Sequence, residues 1–294
     1  MLISLGSRAY TLPSTLSLGT FIKHLPTPRP SSLQFNPISI HKATRAISSA
    51  GGGVHSTHFE ALTSKQKHQI HVYIDSLLQW NQKMNLTAVK EENEVMERHV
   101  EDSLSIIDPI RSSYLSHCGE SLENMSVVDV GSGAGLPGLI LAIACPGWKV
   151  TLLESMNKRC VFLENVAALI GLPNVQVVRD RAECLGQDDA FRESFDVAVA
   201  RAVAEMRILA EYCLPLVRVG GLFVAAKGHD PQEEVARAER AIRLMSASLL
   251  QTCSVESHSK YGQRTAVICL KAGSTPKKYP RAPALCMYNS NLLL

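Results

Sequence analysis

Residues Val127 to Gly138 read VVDVGSGAGLPG, and no other stretch of the chain restricts the fold as much. Strand-forming residues run into glycines at 131, 133, 135 and 138, and the apolar run Leu139 to Ile143 just after them reads as a helix. A strand that passes into a helix through alternate glycines lets something approach the backbone closely. That something is a pyrophosphate, a nucleoside without phosphate, or the neighbouring strand. A tight turn needing positive φ explains one glycine, but it explains three alternate ones poorly.

From Met125 onward strands alternate with helices. Strand SVVDV precedes helix LPGLILAIA, then come strand KVTLLE, helix SMNKRCVFLENVAALIG, strand NVQVVRD, a turn at RAE, strand FDVAVA, helix EMRILAEYCLPLV and strand GLFVAAK. The long helix PQEEVARAERAIRLMSASLL leads to two last strands, LQTCSVES and RTAVICLK. This rhythm predicts an α/β fold with a parallel, doubly wound, Rossmann-like sheet. The loop KYGQ between the last two strands leaves no room for a crossover helix, so they are expected to form an antiparallel terminal hairpin. Ahead of the sheet, Ile70, Tyr73, Ile74, Leu77 and Leu78 recur at helical spacing, with Thr63 or Ser64 as the cap. A second helix is expected over EENEVMERHVEDSLSII, ended by Asp108-Pro109 because the residue before proline disfavours helical angles. The expected organisation is an N-terminal helical cap over 60–120, the sheet domain over 121–272, and a tail over 273–294.

Residues 1–59 contain no Asp or Glu, but carry Arg8, Lys23, Arg29, Lys42 and Arg45 with ten Ser, six Thr and five Pro. Removing those five cations from the totals of 30 basic and 27 acidic residues leaves 25 against 27, a formal charge of −2 for residues 60–294. An acid-free, hydroxyl-rich, arginine-bearing leader has the composition of an organelle transit peptide. Residues 1–55 are expected to be such a segment, with too little apolar surface to fold on its own. The richness in Ser and Thr favours a chloroplast over a mitochondrion. No apolar run reaches the length of about eighteen residues that a bilayer span needs. The eight cysteines are scattered, without C-x-x-C or a Cys/His cluster, and neither a metal site nor a disulfide is expected.

In doubly wound sheets ligands bind at the carboxyl ends of the strands where the strand order reverses, and the glycine turn is expected there. The dinucleotide fingerprint G-x-G-x-x-G wants its third glycine where this chain has Leu136, and no G-K-[ST] follows to make a P-loop. The spacing is instead Asp129-x-Gly131-x-Gly133-x-Gly135, the pattern carried by methyltransferases that use S-adenosylmethionine. Glycines there let the backbone close around the methionine part and ribose of a ligand that lacks phosphates. Glu154 ends the second strand, 23 residues beyond Gly131, where a carboxylate can accept both ribose hydroxyls. Glu183, with the backbone of Ala182, is expected beside the adenine. Arg201 follows FDVAVA at the edge where a substrate or the far end of the cofactor would lie.

WNQKMNLTA (Trp80 to Ala88), RHVEDSL (Arg98 to Leu104), DVGSGAGLPGL, LLESMNKRCVFL (Leu152 to Leu163), ARAVA (Ala200 to Ala204), PLVRVGGLFVAAKG and TPKKYPR resemble, in order, the motifs of the glucose-inhibited division protein B family. These are the bacterial-type small-subunit rRNA guanine-N7 methyltransferases, and the resemblance covers about Leu62 to Arg281. It implies a class I methyltransferase fold, S-adenosyl-L-methionine as cofactor, and methyl transfer to guanine N7 in the decoding-region loop of small-subunit rRNA. By the same resemblance Gly131, Leu136, Ala182, Glu183 and Arg201 match the family's cofactor contacts. Gly133 and Glu154 join them from the reading of the turn and the second strand. A plastid leader on a bacterial-type enzyme fits a plastid ribosome, with the rRNA or the small subunit as partner. Family members continue past KKYPR with a second basic segment, whereas this chain runs APALCMYNSNLLL.

Guanine N7 is a lone-pair acceptor without a proton, so methylating it needs no general base. The N-P-P-Y type motif of exocyclic amino methylation is missing after FDVAVA, where ARAVA stands, and no cysteine follows before Cys213. No catalytic acid or base is therefore named, and catalysis is expected to rest on positioning, worth up to roughly 7–11 kcal/mol in well-oriented systems. N7 faces the deep major groove of A-form RNA, so the target must be a loop base or one turned out of the stack. Because the body is near neutral, RNA contact needs a local patch. Residues 257–294 hold six cations and no acid, and Lys227, Lys277, Lys278 and Arg281 are the candidates, with Lys158 and Arg159 as further additions. Arg98 and His99 either face the cofactor cleft or sit on a helix face where Arg98 pairs with Glu94 or Asp102. Trp80 is expected to be a core anchor rather than a base-stacking platform, and the chain a monomer. The rival readings are a methyltransferase with another substrate and a ribosome-assembly factor without activity.

Overall fold

The computed structural model describes residues 57–119, 121–201, 204–255 and 263–281, all within one compact unit, Gly52–Leu294. The leader over 1–55, Ala202 and Val203, Lys260, most of the KYGQ loop and the segment after Arg281 lie outside the described residues. The elements are α1 (Thr57–Glu60), α2 (Ser64–Met84), α3 (Glu92–Val95), a π-helical turn (Met96–Glu101), α4 (Asp102–Leu104) and α5 (Ile107–His117). They are followed by β1 (Ser126–Val130), α6 (Gly138–Ala144), β2 (Lys149–Glu154), α7 (Asn157–Ile170), β3 (Val175–Arg179), α8 (Ala182–Leu185) and β4 (Phe195–Arg201). The remainder is α9 (Met206–Cys213), β5 (Val217–Lys227), α10 (Gln232–Leu244), β6 (Ala247–Val255) and β7 (Arg264–Lys271).

The seven strands form one sheet in the order β3-β2-β1-β4-β5-β7-β6. β1 to β5 pair in parallel, and β7 runs antiparallel to both β5 and β6, as the short final connection requires. Strand order reverses between β1 and β4, which places the glycine turn at the switch point. The inner strands are covered on both faces: Val127 packs into one core, with Leu152 and Phe162, and Val128 into the other, with Phe223 and Leu209. This double burial is why β1, β2 and β4 read as continuous apolar runs.

The cap helix shares the core of the sheet. Thr63 and Gln66 form a capping box, with Gln66 N–H donating to Thr63 Oγ1 at 3.3 Å and Thr63 N–H to Gln66 Oε1 at 2.9 Å. Ile70, Tyr73, Ile74 and Leu77 are fully buried against residues of α6 and α7, and Trp80 packs on Phe162 with ring centroids 5.6 Å apart. Gln66 Nε2 donates to Ile143 O at 2.9 Å and Ala144 O at 3.1 Å, and Gln69 Nε2 to Ile170 O at 2.9 Å. These carbonyls belong to the last turns of α6 and α7, which have no partners within their own helices.

Two expected helices are corrected. The segment over 91–107 is not one helix ended by Pro109, because it breaks into α3, the π-helical turn and α4. Pro109 lies in the first turn of α5, where a missing N–H costs nothing. The helix expected through SASLL stops at Leu244, since Ser246 at φ 57° reverses the chain and Ala247 opens edge strand β6. The turn expected at RAE is the short helix α8.

After β7 the chain crosses back over α8 and α9. Arg192 Nη1 donates to Tyr279 O and Nη2 to Thr275 O, each at 2.8 Å. Gln187 Nε2 donates to Pro280 O at 2.9 Å, and Arg281 closes a bidentate pair with Glu211 at 2.9 Å and 2.6 Å.

Candidate active site

The carboxyl ends of β1, β2 and β3 enclose a cavity of about 200 Å³. Its wall includes Gly131, Glu154, Ala182 and Glu183, so four of the seven expected cofactor residues meet in one space. The turn that forms its floor has φ of 74° at Gly131, 57° at Gly133 and 87° at Gly135, left-handed angles at alternate positions that side chains rarely adopt. Gly131 and Ser132 donate to Leu153 O at 2.9 and 3.1 Å, and Tyr73 Oη of the cap donates to Ala134 O at 2.9 Å. The turn is thus held from β2 on one side and from α2 on the other.

Both carboxylates are oriented by neighbours. Glu154 Oε2 accepts Gly133 N–H at 2.9 Å and Oε1 accepts Met156 N–H at 2.8 Å, with Arg159 3.7 Å away. Glu183 Oε1 accepts from Arg181 Nη2 at 2.7 Å. Each carboxylate keeps further lone pairs for a ligand's hydroxyl or amino hydrogens. Asp129 lies under the turn, fully buried, with Oδ2 accepting Gly138 N–H at 3.0 Å and Oδ1 unpartnered. Burial pushes its carboxyl up to about 6, against the pull of the Gly138 N–H. Gly138 leaves no room for any other residue, since an added Cβ would stand 2.7 Å from Asp129 Oδ2. The side chain of Leu136 lines neither this cavity nor its neighbour. It is buried in the apolar core, which leaves only its backbone for a ligand contact.

A second cavity, of about 230 Å³, opens at the ends of β4 and β5. Arg201 is here rather than in the first cavity, with Arg98, His99, Asp102, Lys227 and Arg264. Arg201 Nη2 lies 3.4 Å from His99 Nδ1, and Nη1 is 3.5 Å from His99 O. Among the described residues no carboxylate stands within ion-pair distance of it. Because the guanidinium can only donate, His99 Nδ1 accepts and Nε2–H donates to Thr87 Oγ1 at 2.8 Å. Burial, reinforced by Arg201, lowers the imidazole to about 3 and keeps it neutral. Arg98 pairs with Glu94 at 2.9 Å along the helix, one of its two expected places, and lines this cavity rather than the one at the glycine turn.

Two of the four cations expected to meet RNA are committed within the protein. Lys227 Nζ donates to Ala204 O at 2.8 Å and pairs with Glu234 at 2.7 Å, and Arg281 is held by Glu211. Lys277 and Lys278 are exposed.

The first cavity is chemically selective. Its arginines, Arg159 and Arg181, face its own carboxylates, so it suits a ribose and a cationic ligand and repels a pyrophosphate. Residues 66–264 match the family model described as rRNA small subunit methyltransferase G. The chain belongs to this family. Proteins of the same description from Alkaliphilus oremlandii and Staphylococcus saprophyticus are 45% and 41% identical over 220 and 228 residues. These alignments cover 75% and 78% of this chain and 88% and 91% of the relatives. As a member of the family the chain is a methyltransferase, and S-adenosylmethionine is its cofactor. The residues present fit it: open glycine backbone, a carboxylate at the end of β2 and another in α8, and arginines already paired with those carboxylates. Sequence reasoning missed Tyr73, whose helical spacing marks it only as a core residue, and the contribution of Asp102 to the second cavity.

Proposed function

We propose that this chain transfers the methyl group of S-adenosylmethionine to N7 of a guanine in small-subunit rRNA, as a monomer, in the ribosome of a chloroplast. The observation that carries the reading is the pairing of two unlike cavities at the ends of adjacent strands, one walled by carboxylates and one by guanidinium groups. When bound, the cofactor supplies an electrophilic methyl group on a sulfonium centre. Gly131, Gly133 and the backbone of Leu136 would close on it, Glu154 would accept its ribose hydroxyls, and Ala182 with Glu183 would flank its base. Arg201, in the second cavity, would hold acceptor groups that enter it.

Nothing in the second cavity needs to remove a proton. His99 is locked neutral with both ring nitrogens engaged, so it orients Arg201 rather than acting as a base. That arrangement suits N7, whose lone pair is available without deprotonation. Catalysis then rests on holding the base and excluding water. Exposed Lys277 and Lys278 would draw the RNA backbone toward the site.

Mapping N7-methylguanine in plastid small-subunit rRNA from a null mutant tests the substrate. Loss of one modification supports it, and an unchanged pattern removes it in favour of another substrate or an inactive assembly factor. Residues 1–55 fused to a fluorescent reporter are expected to enter chloroplasts, and diffuse cytosolic signal would refute the address.

A further inference from the structure

The second cavity differs from a plain anion pocket because Asp102 stands in its wall among the cations. Asp102 Oδ2 accepts Arg264 Nε at 2.8 Å, joining α4 to the first residue of β7. The carboxylate is 6% exposed, and a charge kept so far from water is costly unless paired and hydrogen-bonded. A phosphate brought into this space would meet that negative charge at close range. A ligand that presents an acceptor beside two donors would instead match the arginine and the carboxylate together. Ile106, Ala226 and Val255 supply apolar wall in the same space, as the faces of a flat ring require. The volume, about 230 Å³, is below the roughly 300–1,000 Å³ of drug-sized pockets and suits a single base.

We propose that the Asp102–Arg264 pair reads the Watson–Crick edge of the target guanine, with Arg264 donating to O6 and Asp102 accepting from N1–H and the N2 amino group. This inference rests on the guanine-N7 reading above. Adenine offers a donor where guanine has O6 and a lone pair where guanine has N1–H, so it would meet both protein groups in the wrong sense. Gripping that edge leaves N7 clear. The pair also acts on rate: as the N7 lone pair forms its bond to carbon and the carbon–sulfur bond breaks, positive charge spreads over the purine. N1–H and N2–H then become stronger donors, so Asp102 holds the transition state more tightly than the ground state. Asp102 is thus a specificity-determining residue for this reaction.

The test pairs a substrate change with a protein change, using the full chain. Small-subunit rRNA is ligated to carry either guanosine or inosine, which lacks the N2 amino group, at the mapped position, and is offered both naked and reconstituted into subunits. Wild type is expected to prefer guanosine by about 10- to 100-fold in kcat/KM, the worth of a hydrogen bond to a charged group. In Asp102→Asn that preference should collapse toward unity, chiefly through loss of kcat on guanosine, while calorimetric affinity for S-adenosylmethionine stays at the wild-type value. A variant that keeps the wild-type preference overturns the proposal. So does a wild-type protein that treats guanosine and inosine alike, a comparison that needs no variant to fold. Methylation of neither RNA in either form removes the guanine-N7 reading itself and this inference with it.

Discussion

The two cavities are built by different means. The first is made largely by backbone: alternate left-handed glycines in a turn held by Leu153 O and Tyr73, with Glu154 fixed by the main-chain N–H groups of Gly133 and Met156. The second is made by side chains from α4, the π-helical turn, β4, β5, β6 and β7, held by pairs such as Asp102–Arg264. A backbone-built site tolerates change where only a side chain is altered and fails where the chain path is altered. A site built of side chains from many elements should respond residue by residue, with effects on substrate rather than on cofactor.

The largest expected effect breaks the first cavity at its floor. Gly131→Trp places a bulky side chain at φ 74° in the cavity wall, and calorimetry should detect no binding of S-adenosylmethionine; wild-type affinity would show that the turn is not the seat. Next is the buried charge beneath it. With its folded pKa near 6 against 3.8 unfolded, Asp129 contributes stability that is present below about pH 4 and lost as pH rises through 6. Urea unfolding of Asp129→Asn should therefore gain on wild type by up to about 3 kcal/mol between pH 4 and 8, and a constant difference would contradict the assignment.

The second cavity should show the opposite sign. His99 is neutral in the fold down to about 3, whereas the unfolded chain takes up a proton below about 6.5. Its contribution is present above 6.5 and declines as pH falls. Between pH 6.5 and 5 wild type should lose up to about 2 kcal/mol that His99→Gln does not, measured by the same unfolding experiment. The smallest effect lies outside both cavities. Lys277→Glu with Lys278→Glu should raise KM for RNA severalfold and flatten its salt dependence, with cofactor affinity unmoved. An unchanged salt slope would take this surface out of RNA contact.

These differences in construction also set how much could be read from the sequence. Parallel strands buried on both faces announce themselves as apolar runs, so β1, β2 and β4 stood out, and their ends carried Gly131 and Glu154 into the site. The π-helical turn left no such mark, because its residues keep the same apolar spacing as an ordinary helix. Only the start of β6 was hidden, for a related reason: it is an edge strand with mixed exposure, and Ala247 to Leu249 continue the pattern of α10. Asp102 and Arg264 are 162 positions apart, a distance across which no spacing rule operates. Lys227 and Arg281 were legible as charges, but their partners Glu234 and Glu211 lie on α10 and α9, and only the fold shows that they are already neutralised.

The π-helical turn between Val95 and Asp102 has a consequence for how this chain can vary. Such a turn holds one residue more than an α-helical turn of equal rise, like an insertion frozen into the helix. Deleting a single residue there would let the segment relax to regular winding; the extra residue is what the wider turn absorbs, so the flanking helices would keep nearly their present phase while the residues inside the turn would change direction. Arg98 and His99 lie inside the turn, and they would no longer look into the space that Asp102 shares with them. Length within these six positions is therefore constrained as tightly as the identity of any side chain they carry.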